Sequence, residues 1–159
     1  MMLIKDQAPL PKGGEGPTAP HTDEAAKRVS LYIEAMKSAF QEGNGGNGFI
    51  AVKEETLEDL NEERPKQDVL EGLKALSPKV YRYDDIKDDN SLFESDSIGR
   101  ETRTLNGTLL YINDEEFKGD EAIVEAISWF GNLGAVSPKY KAVYKDGKWE
   151  LKVLSMAIS

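Results

Sequence analysis

Glu125 is the residue whose surroundings in the sequence best suit chemistry. It alternates along the chain with three large apolar residues, Ile123, Ile127 and Trp129. The run at residues 121–130 is apolar on both sides, which predicts a strand in the centre of a sheet. If its apolar neighbours face a cavity, Glu125 faces it too, and a carboxylate deprived of water becomes a stronger general base. This face can instead be partly solvated, or Glu125 can pair with Arg100 or Arg103, so a structural role stays open.

A set of aromatic and apolar side chains is the second candidate for function. Tyrosine and tryptophan combine an apolar body with a polar tip, which suits a pocket for amphipathic ligands. We predict that such a pocket is lined by Tyr32, Met36, Tyr111, Glu125, Trp129, Tyr144 and Trp149. The same residues can instead fill a core between a sheet and a helix, and the sequence does not decide between the two arrangements.

The sequence carries no recognisable site for a metal or a cofactor. Cysteine is absent, which excludes thiolate ligands and thiol nucleophiles, and His21 is the only histidine. The acidic run at residues 84–94 lacks the ligand spacing and the turn glycine of a calcium loop. The glycine-rich segment at residues 43–48 lacks the GK[ST] ending of a phosphate-binding loop. We therefore predict neither metal nor cofactor.

Charge and composition narrow the possible partners. The net charge of −9 disfavours binding to nucleic acid and to anionic membranes. No stretch approaches the ~20 apolar residues of a membrane-spanning helix. Residues 1–22 are rich in proline and glycine, which predicts a flexible tether ahead of a single domain at residues 23–159. Such tethers are common between an export or lipid anchor and the folded part of a bacterial surface protein. A disordered terminus is the alternative.

Two segments define the framework that must position the candidate residues. A helix is predicted from residue 23 to Gly43, because Val29, Tyr32, Ile33, Met36, Ala39 and Phe40 recur at spacings of three and four. Asp146-Gly147 lies between two alternating runs, which predicts a hairpin with a type I′ turn. That turn sets three cross-strand pairs, namely Tyr144 with Trp149, Ala142 with Leu151 and Tyr140 with Val153.

The remaining segments predict the fold class. Shorter helices are expected between residues 56 and 76, and strands at residues 80–83, 102–113 and 121–130. Helices followed by a run of strands predict an α+β domain with N-terminal helices packed on one face of a curved antiparallel β-sheet. A sheet that cups around a helix leaves a conical cavity on its concave side, where the candidate residues are expected.

Two short motifs resemble the NTF2-like (cystatin-like) superfamily, in particular the small NTF2-like domains of Gram-positive bacterial lipoproteins and exported proteins. Ala25, Ala26, Lys27 and Val29 lead to the sequence YIEA at residues 32–35, and residues 146–149 read DGKW. The resemblance covers roughly residues 23–156. It implies an NTF2-like cone and a pocket inside it, and it carries over no catalytic residue.

These observations lead to one leading hypothesis about function and two alternatives. We expect a noncatalytic binding or interaction domain of an exported or membrane-tethered bacterial protein, whose partner is a small amphipathic ligand or another protein. One alternative is a small-molecule enzyme, an isomerase or dehydratase, with Glu125 as its base. The other is a homodimerisation domain. A cytoplasmic location is the alternative to the extracytoplasmic one.

Overall fold

The computed structural model of the protein describes residues 23–159. These residues form three α-helices and eight β-strands. The helices and four short strands make up the first half of the domain, and four long strands form the second half. The helices are α1 (Asp23–Glu42), α2 (Glu63–Gly72) and α3 (Tyr83–Ile86). The strands are β1 (Ile50–Val52), β2 (Val80–Arg82), β3 (Phe93–Ser95), β4 (Glu101–Thr104), β5 (Thr108–Phe117), β6 (Glu121–Gly131), β7 (Gly134–Lys145) and β8 (Lys148–Ile158). Short 3-10 helices cover Glu54–Leu60 and Leu73–Ala75. The predicted tether and His21 lie outside the described residues.

The strands form one curled, mixed sheet. Strands β5 to β8 run antiparallel to their sequence neighbours, and β6 is central, as predicted. The prediction of a wholly antiparallel sheet is wrong, because β1 pairs in parallel with both β2 and β5. The chain leaves β1, crosses through α2 and returns as β2. Such a crossover connection brings the second strand back in the same direction.

Helix α1 packs on one face of this sheet through its predicted apolar stripe. Tyr32, Met36 and Ala39 are fully buried in a core that also contains Leu110, Val124 and Ala142 of the sheet. Hydrogen bonds attach the helix to the sheet along its whole length. Trp149 Nε1 donates to the carbonyl of Lys27 (2.8 Å), and Ser128 Oγ donates to the carbonyl of Gly43 (2.6 Å). The stripe at spacings of three and four is therefore confirmed as the buried face of α1.

The hairpin of β7 and β8 has the predicted turn and register. Asp146 and Gly147 both have positive φ, at 56° and 82°, as a type I′ turn requires. All three predicted cross-strand pairs are present. The rings of Tyr144 and Trp149 meet edge to face with their centroids 5.2 Å apart. The Asp-Gly pair therefore sets the register of β7 and β8 from the turn to the Tyr140–Val153 pair, beyond which a bulge shifts the pairing.

The segment predicted as one strand at residues 102–113 is two strands. It breaks at residues 105–107, where Asn106 adopts a left-handed φ of 60°. Thr104 Oγ1 donates to the carbonyl of Gly107 (2.5 Å) and closes this turn. The ring of Phe49 packs so closely over Gly107 that a Cβ atom there would overlap it. The turn at Asn106 and the contact between Phe49 and Gly107 thus interrupt residues 102–113, although their alternating pattern alone indicates one continuous strand.

A second, smaller core lies on the face of the sheet opposite α1. It contains Phe49, Ala51, Phe93 and Leu109. Residues after β2, including Tyr83 of α3 and Phe93 of β3, fold over this face, where their rings meet edge to face at 5.7 Å. Both faces of the sheet near β1 and β5 are therefore covered, one by α1 and the other by the segment that contains α3 and β3.

Candidate functional site

A cavity of about 430 Å³ lies on the sheet face opposite α1. Its lining combines aromatic rings, an aliphatic floor and side chains of both charges: Lys53, Tyr83, Lys87, Asp88, Gly99, Arg100, Glu101, Leu109, Tyr111 and Trp129. Lys87, Asp88 and Arg100 are exposed, so they form the solvent side of what we call the outer pocket.

Strand alternation explains why these side chains share one face. Residues 50 and 52 of β1 point into the core beneath α1, whereas Ala51 belongs to the opposite core, and Lys53 continues on that side. The sheet register aligns Ala51 with Leu109 and Leu109 with Trp129. The amide of Lys53 donates to the carbonyl of Leu110 (3.1 Å), which sets Lys53 beside Tyr111. Three neighbouring strands therefore supply the floor of the outer pocket.

Lys53 lies between two tyrosine rings of the outer pocket. Its Nζ is 4.7 Å from the ring centroid of Tyr111 and 5.6 Å from that of Tyr83. A lysine ammonium within about 6 Å of a ring face is attracted to it. The neighbouring Glu54 pairs with Arg82 (2.7 Å), not with Lys53. Lys53 consequently has aromatic contacts and no carboxylate partner among residues 23–159.

Tyr83 and Glu101 form the most unusual polar pair of the outer pocket. The Tyr83 hydroxyl donates to Glu101 Oε1. Burial raises the pKa of Tyr83, and the hydrogen bond to Glu101 and the charge of Glu101 raise it further, so the phenol keeps its proton at physiological pH. The other carboxylate oxygen, Glu101 Oε2, is buried and accepts no hydrogen bond from the described residues. One acceptor of a buried carboxylate is therefore unsatisfied at the pocket wall.

The exposed basic residues of the outer pocket already have partners. Arg100 Nε contacts Asp96 Oδ2 at 2.9 Å, and Lys87 Nζ lies 3.7 Å from Asp84. Such exposed pairs contribute little to stability, but they reduce the positive charge at the rim. Lys53 and Glu101 remain the two charged residues deepest in the pocket that form no ion pair with any described residue.

The sequence-predicted pocket residues divide between the two faces of the sheet. Tyr32 and Met36 are fully buried in the core beneath α1, and Trp149 is almost so. Tyr144 packs against the same core and beneath the ammonium of Lys27, whose Nζ is 4.8 Å from its ring centroid. At these four residues the structure has the core between the sheet and the helix that the sequence left open as the alternative.

The other three predicted pocket residues lie on the opposite face. Tyr111 and Trp129 line the outer pocket. Glu125 shares their face, because it is two residues from Ile127 and four from Trp129 on the same strand. Burial is the larger cause of the raised pKa of Tyr111, and the charge of Glu125 raises that pKa further. Glu125 is half-buried, and it does not line the outer pocket. The structure thus brings Tyr111 and Trp129 together and leaves Glu125 beside them.

A buried network beneath α1 involves residues that the sequence did not single out. The side chain of Asp114 is only 4% exposed. It accepts hydrogen bonds from the Tyr32 hydroxyl (2.6 Å) and from Arg28 Nε (3.2 Å), and Arg28 also contacts Glu24. Its partners are on α1, more than eighty residues away along the chain, so no local pattern could reveal it.

Sequence reasoning also missed two key polar residues of the outer pocket, Lys53 and Glu101. Lys53 directly follows the short apolar run at residues 49–52, and a charge at the end of a buried strand is a common position for a site residue. That signal was available, but it did not say which strands would lie beside Lys53. The parallel pairing of β1 with β2 and β5 makes the pocket, and that pairing is not encoded in any local pattern.

A scan against protein-family models found no match, and searches of curated proteins and of solved structures found none either. The resemblance to the NTF2-like superfamily thus stays a prediction from the residues. Within residues 23–159, no helix is long and apolar enough to cross a membrane. The geometry of the site is therefore the basis for any statement about function.

Proposed function

We propose that this domain is a noncatalytic binding module of the NTF2-like type, and that it takes a small molecule in the outer pocket. The observation that carries the proposal is the combination of aromatic walls with two half-buried charged residues, Lys53 and Glu101, that form no ion pair with any described residue. A cavity of about 430 Å³ lies within the range of small-molecule sites. Aromatic linings with a few convergent polar groups are the usual composition of such sites.

The NTF2-like assignment is supported by the position of α1 and by the second half of the sheet. A long N-terminal helix lies across strands β5 to β8, and this meander ends in the DGKW hairpin. Two features differ from the expected cone. β1 runs parallel to its neighbours, and the cavity lies on the face away from α1. The proposal therefore keeps the architecture of the superfamily and moves the ligand to the other face of the sheet.

The position of Glu125 favours a binding function over one in which Glu125 acts as a catalytic base. A general base must reach its substrate within hydrogen-bond distance or through one water. The wall of the outer pocket is formed by Glu101 and Tyr83, and Glu125 is not part of it. Tyr83 keeps its proton and donates a hydrogen bond to Glu101, an arrangement that serves to orient a ligand.

Intrinsic fluorescence can test the proposal directly. The chain has two tryptophans, so the variant Trp149→Phe leaves Trp129 as a reporter in the pocket wall. Screening a small-metabolite library against this variant should yield compounds that shift Trp129 emission and raise the melting temperature of the unmodified protein.

A matched pair of tyrosine variants locates the binding site. Tyr111→Ala removes part of the pocket wall, whereas Tyr144→Ala removes a half-buried ring on the opposite face. Genuine ligands should lose affinity in the first variant and keep it in the second. A library without any binder, or binders indifferent to Tyr111→Ala, would refute the proposal.

An exported or membrane-tethered location belongs to the same proposal. Fractionation of a Gram-positive host that expresses the complete gene should recover the protein outside the cytoplasm. Recovery from the cytoplasm alone would refute the proposed location and would not bear on the proposed binding function.

A further inference from the structure

We infer that the ligand of the outer pocket is a small zwitterion, with its ammonium on Glu101 and its carboxylate on Lys53. This inference rests on the proposed function and specifies its ligand class. Glu101 and Lys53 lack charged partners among the described residues, and both of them flank Tyr83, whereas the other unpaired acid of the lining, Asp88, is exposed at the rim. A free α-amino acid has the complementary pair of groups, separated by only one carbon atom.

Glu101 supplies the recognition of a cationic donor. Oε1 is already held by the Tyr83 hydroxyl, so the carboxylate is fixed in orientation. Oε2 has no donor within residues 23–159, and it is closed to solvent. A carboxylate oxygen can accept two hydrogen bonds, so Oε1 can accept a charge-assisted hydrogen bond from a ligand ammonium beside the one from Tyr83. The negative charge of Glu101 disfavours a purely anionic ligand, because like charges repel each other.

Lys53 supplies the recognition of an anion. Its ammonium is held over the Tyr111 ring and near the Tyr83 ring, and it has no carboxylate partner in the part of the chain described. Aromatic contacts hold a lysine in place without using up its hydrogen-bond donors. The neighbouring acidic residue, Glu54, is engaged by Arg82 (2.7 Å). A ligand carboxylate is consequently the group that Lys53 is free to bind.

The rest of the outer pocket determines the body of the ligand. Leu109 forms an apolar floor, and the rings of Tyr111 and Trp129 form an aromatic wall. Flat or aliphatic side chains bury well against such surfaces. An α-amino acid with an apolar side chain therefore satisfies the two charges and the apolar wall at once, whereas an inorganic ion satisfies only one of them.

Three matched probes separate the contributions of the ligand groups. L-Phenylalanine carries both charges, 3-phenylpropanoate lacks the ammonium, and 2-phenylethylamine lacks the carboxylate. Titration of Trp129 fluorescence in the Trp149→Phe protein should show phenylalanine binding at least about tenfold more tightly than either analogue, since each lost charge-assisted hydrogen bond costs about ten- to hundredfold in affinity. Equal affinity for all three probes would overturn the inference.

Variants assign each preference to one residue. Glu101→Gln should remove the preference for L-phenylalanine over 3-phenylpropanoate. Lys53→Met should remove the preference for L-phenylalanine over 2-phenylethylamine. Two exposed strand residues of the same types, changed as Glu150→Gln and Lys141→Met, serve as controls that leave both preferences intact. Should Lys53→Met fold poorly, Lys53→Arg keeps the positive charge and should keep the preference. A preference that survives Glu101→Gln would refute the assignment to Glu101.

The outcome also distinguishes this inference from the proposed function. Neutral flat compounds that bind in a Tyr111-dependent manner, with no advantage for zwitterions, would retain the binding module and overturn the ligand class. The absence of every binder from both the library and the amino-acid probes would overturn both.

Discussion

Replacing Tyr32 by phenylalanine should destabilise the domain at neutral pH, and the loss should become smaller as the pH rises above 10. Tyr32 is fully buried, and its hydroxyl donates to the carboxylate of Asp114 at 2.6 Å. Asp114 has a side chain that is 4% exposed, so water cannot replace the lost donor freely. Arg28 remains as its other donor, at 3.2 Å.

The size of the effect at pH 7 follows from the type of hydrogen bond. Hydrogen bonds to charged groups contribute about 1.5–3 kcal/mol, and a buried acceptor left without its donor costs a similar amount. We therefore expect Tyr32→Phe to lower the free energy of unfolding by about 1.5–3 kcal/mol at pH 7. Phenylalanine fills the same volume apart from one oxygen, so no cavity term adds to this value.

The pH dependence follows from the raised pKa of Tyr32. Burial raises this pKa well above its usual 10.0, and the hydrogen bond to Asp114 and the charge of Asp114 raise it further, against the opposing charge of Arg28. Above pH 10 the unfolded chain therefore releases the phenolic proton while the folded chain retains it. The unfolded state then binds fewer protons than the native state, so this tyrosine's contribution to stability falls as the pH rises. The phenylalanine variant has no such loss.

Urea denaturation followed by circular dichroism, at several pH values from 7 to 11, measures both quantities. The stability difference between the two proteins should narrow by about 1.4 kcal/mol at pH 11, because one proton is linked to unfolding. Tyr81→Phe is the matched control, since the hydroxyl of Tyr81 has no hydrogen-bond partner among the described residues. Its effect at pH 7 should be smaller than that of Tyr32→Phe. A Tyr32→Phe difference that stays constant up to pH 11 would refute the proposed link between burial and ionisation.

Two glycine substitutions test the backbone features that distinguish this fold. Gly107→Ala should lower the free energy of unfolding by about 1–3 kcal/mol or abolish folding, because a methyl group there overlaps the ring of Phe49 in the turn between β4 and β5. A neutral effect in urea denaturation would contradict this close contact in the turn. Gly147→Ala should cost about 1–2 kcal/mol from its positive φ of 82° alone, because no other group lies near the new methyl; a neutral effect on the urea midpoint would argue against the type I′ turn.

The helix and the hairpin could be predicted because their signals are local. The stripe that contains Tyr32 and Met36 repeats at the period of a helix, and only one face of α1 had to be buried. The Asp146-Gly147 pair fixes both the turn and the register, since a two-residue loop leaves no freedom in strand pairing. Both predictions depend only on residues within the helix or the hairpin itself.

The pocket could not be predicted because its parts come from distant segments. Lys53 and Tyr83 meet only through the parallel pairing of β1 with β2, and Glu101 joins them from β4. Alternation relates Tyr111 and Trp129 only to other residues of their own strands, and it could not show which face of the sheet α1 covers. The predicted lining therefore combined residues of both faces.

The alternation of the central strands implies that the packing of the core and the lining of the outer pocket depend on different side chains of the same strands. On β5, Leu110 and Ile112 point into the core beneath α1, whereas Leu109 and Tyr111 point to the outer pocket. Because neighbouring residues face opposite sides, a substitution such as Tyr111→Ala can change the pocket wall and leave the packing of α1 in place. The larger core and its buried Asp114 hold the sheet in shape, and that shape fixes the distance between the strands that carry Lys53 and Trp129. The geometry of the pocket is therefore a consequence of packing on the opposite face of the sheet.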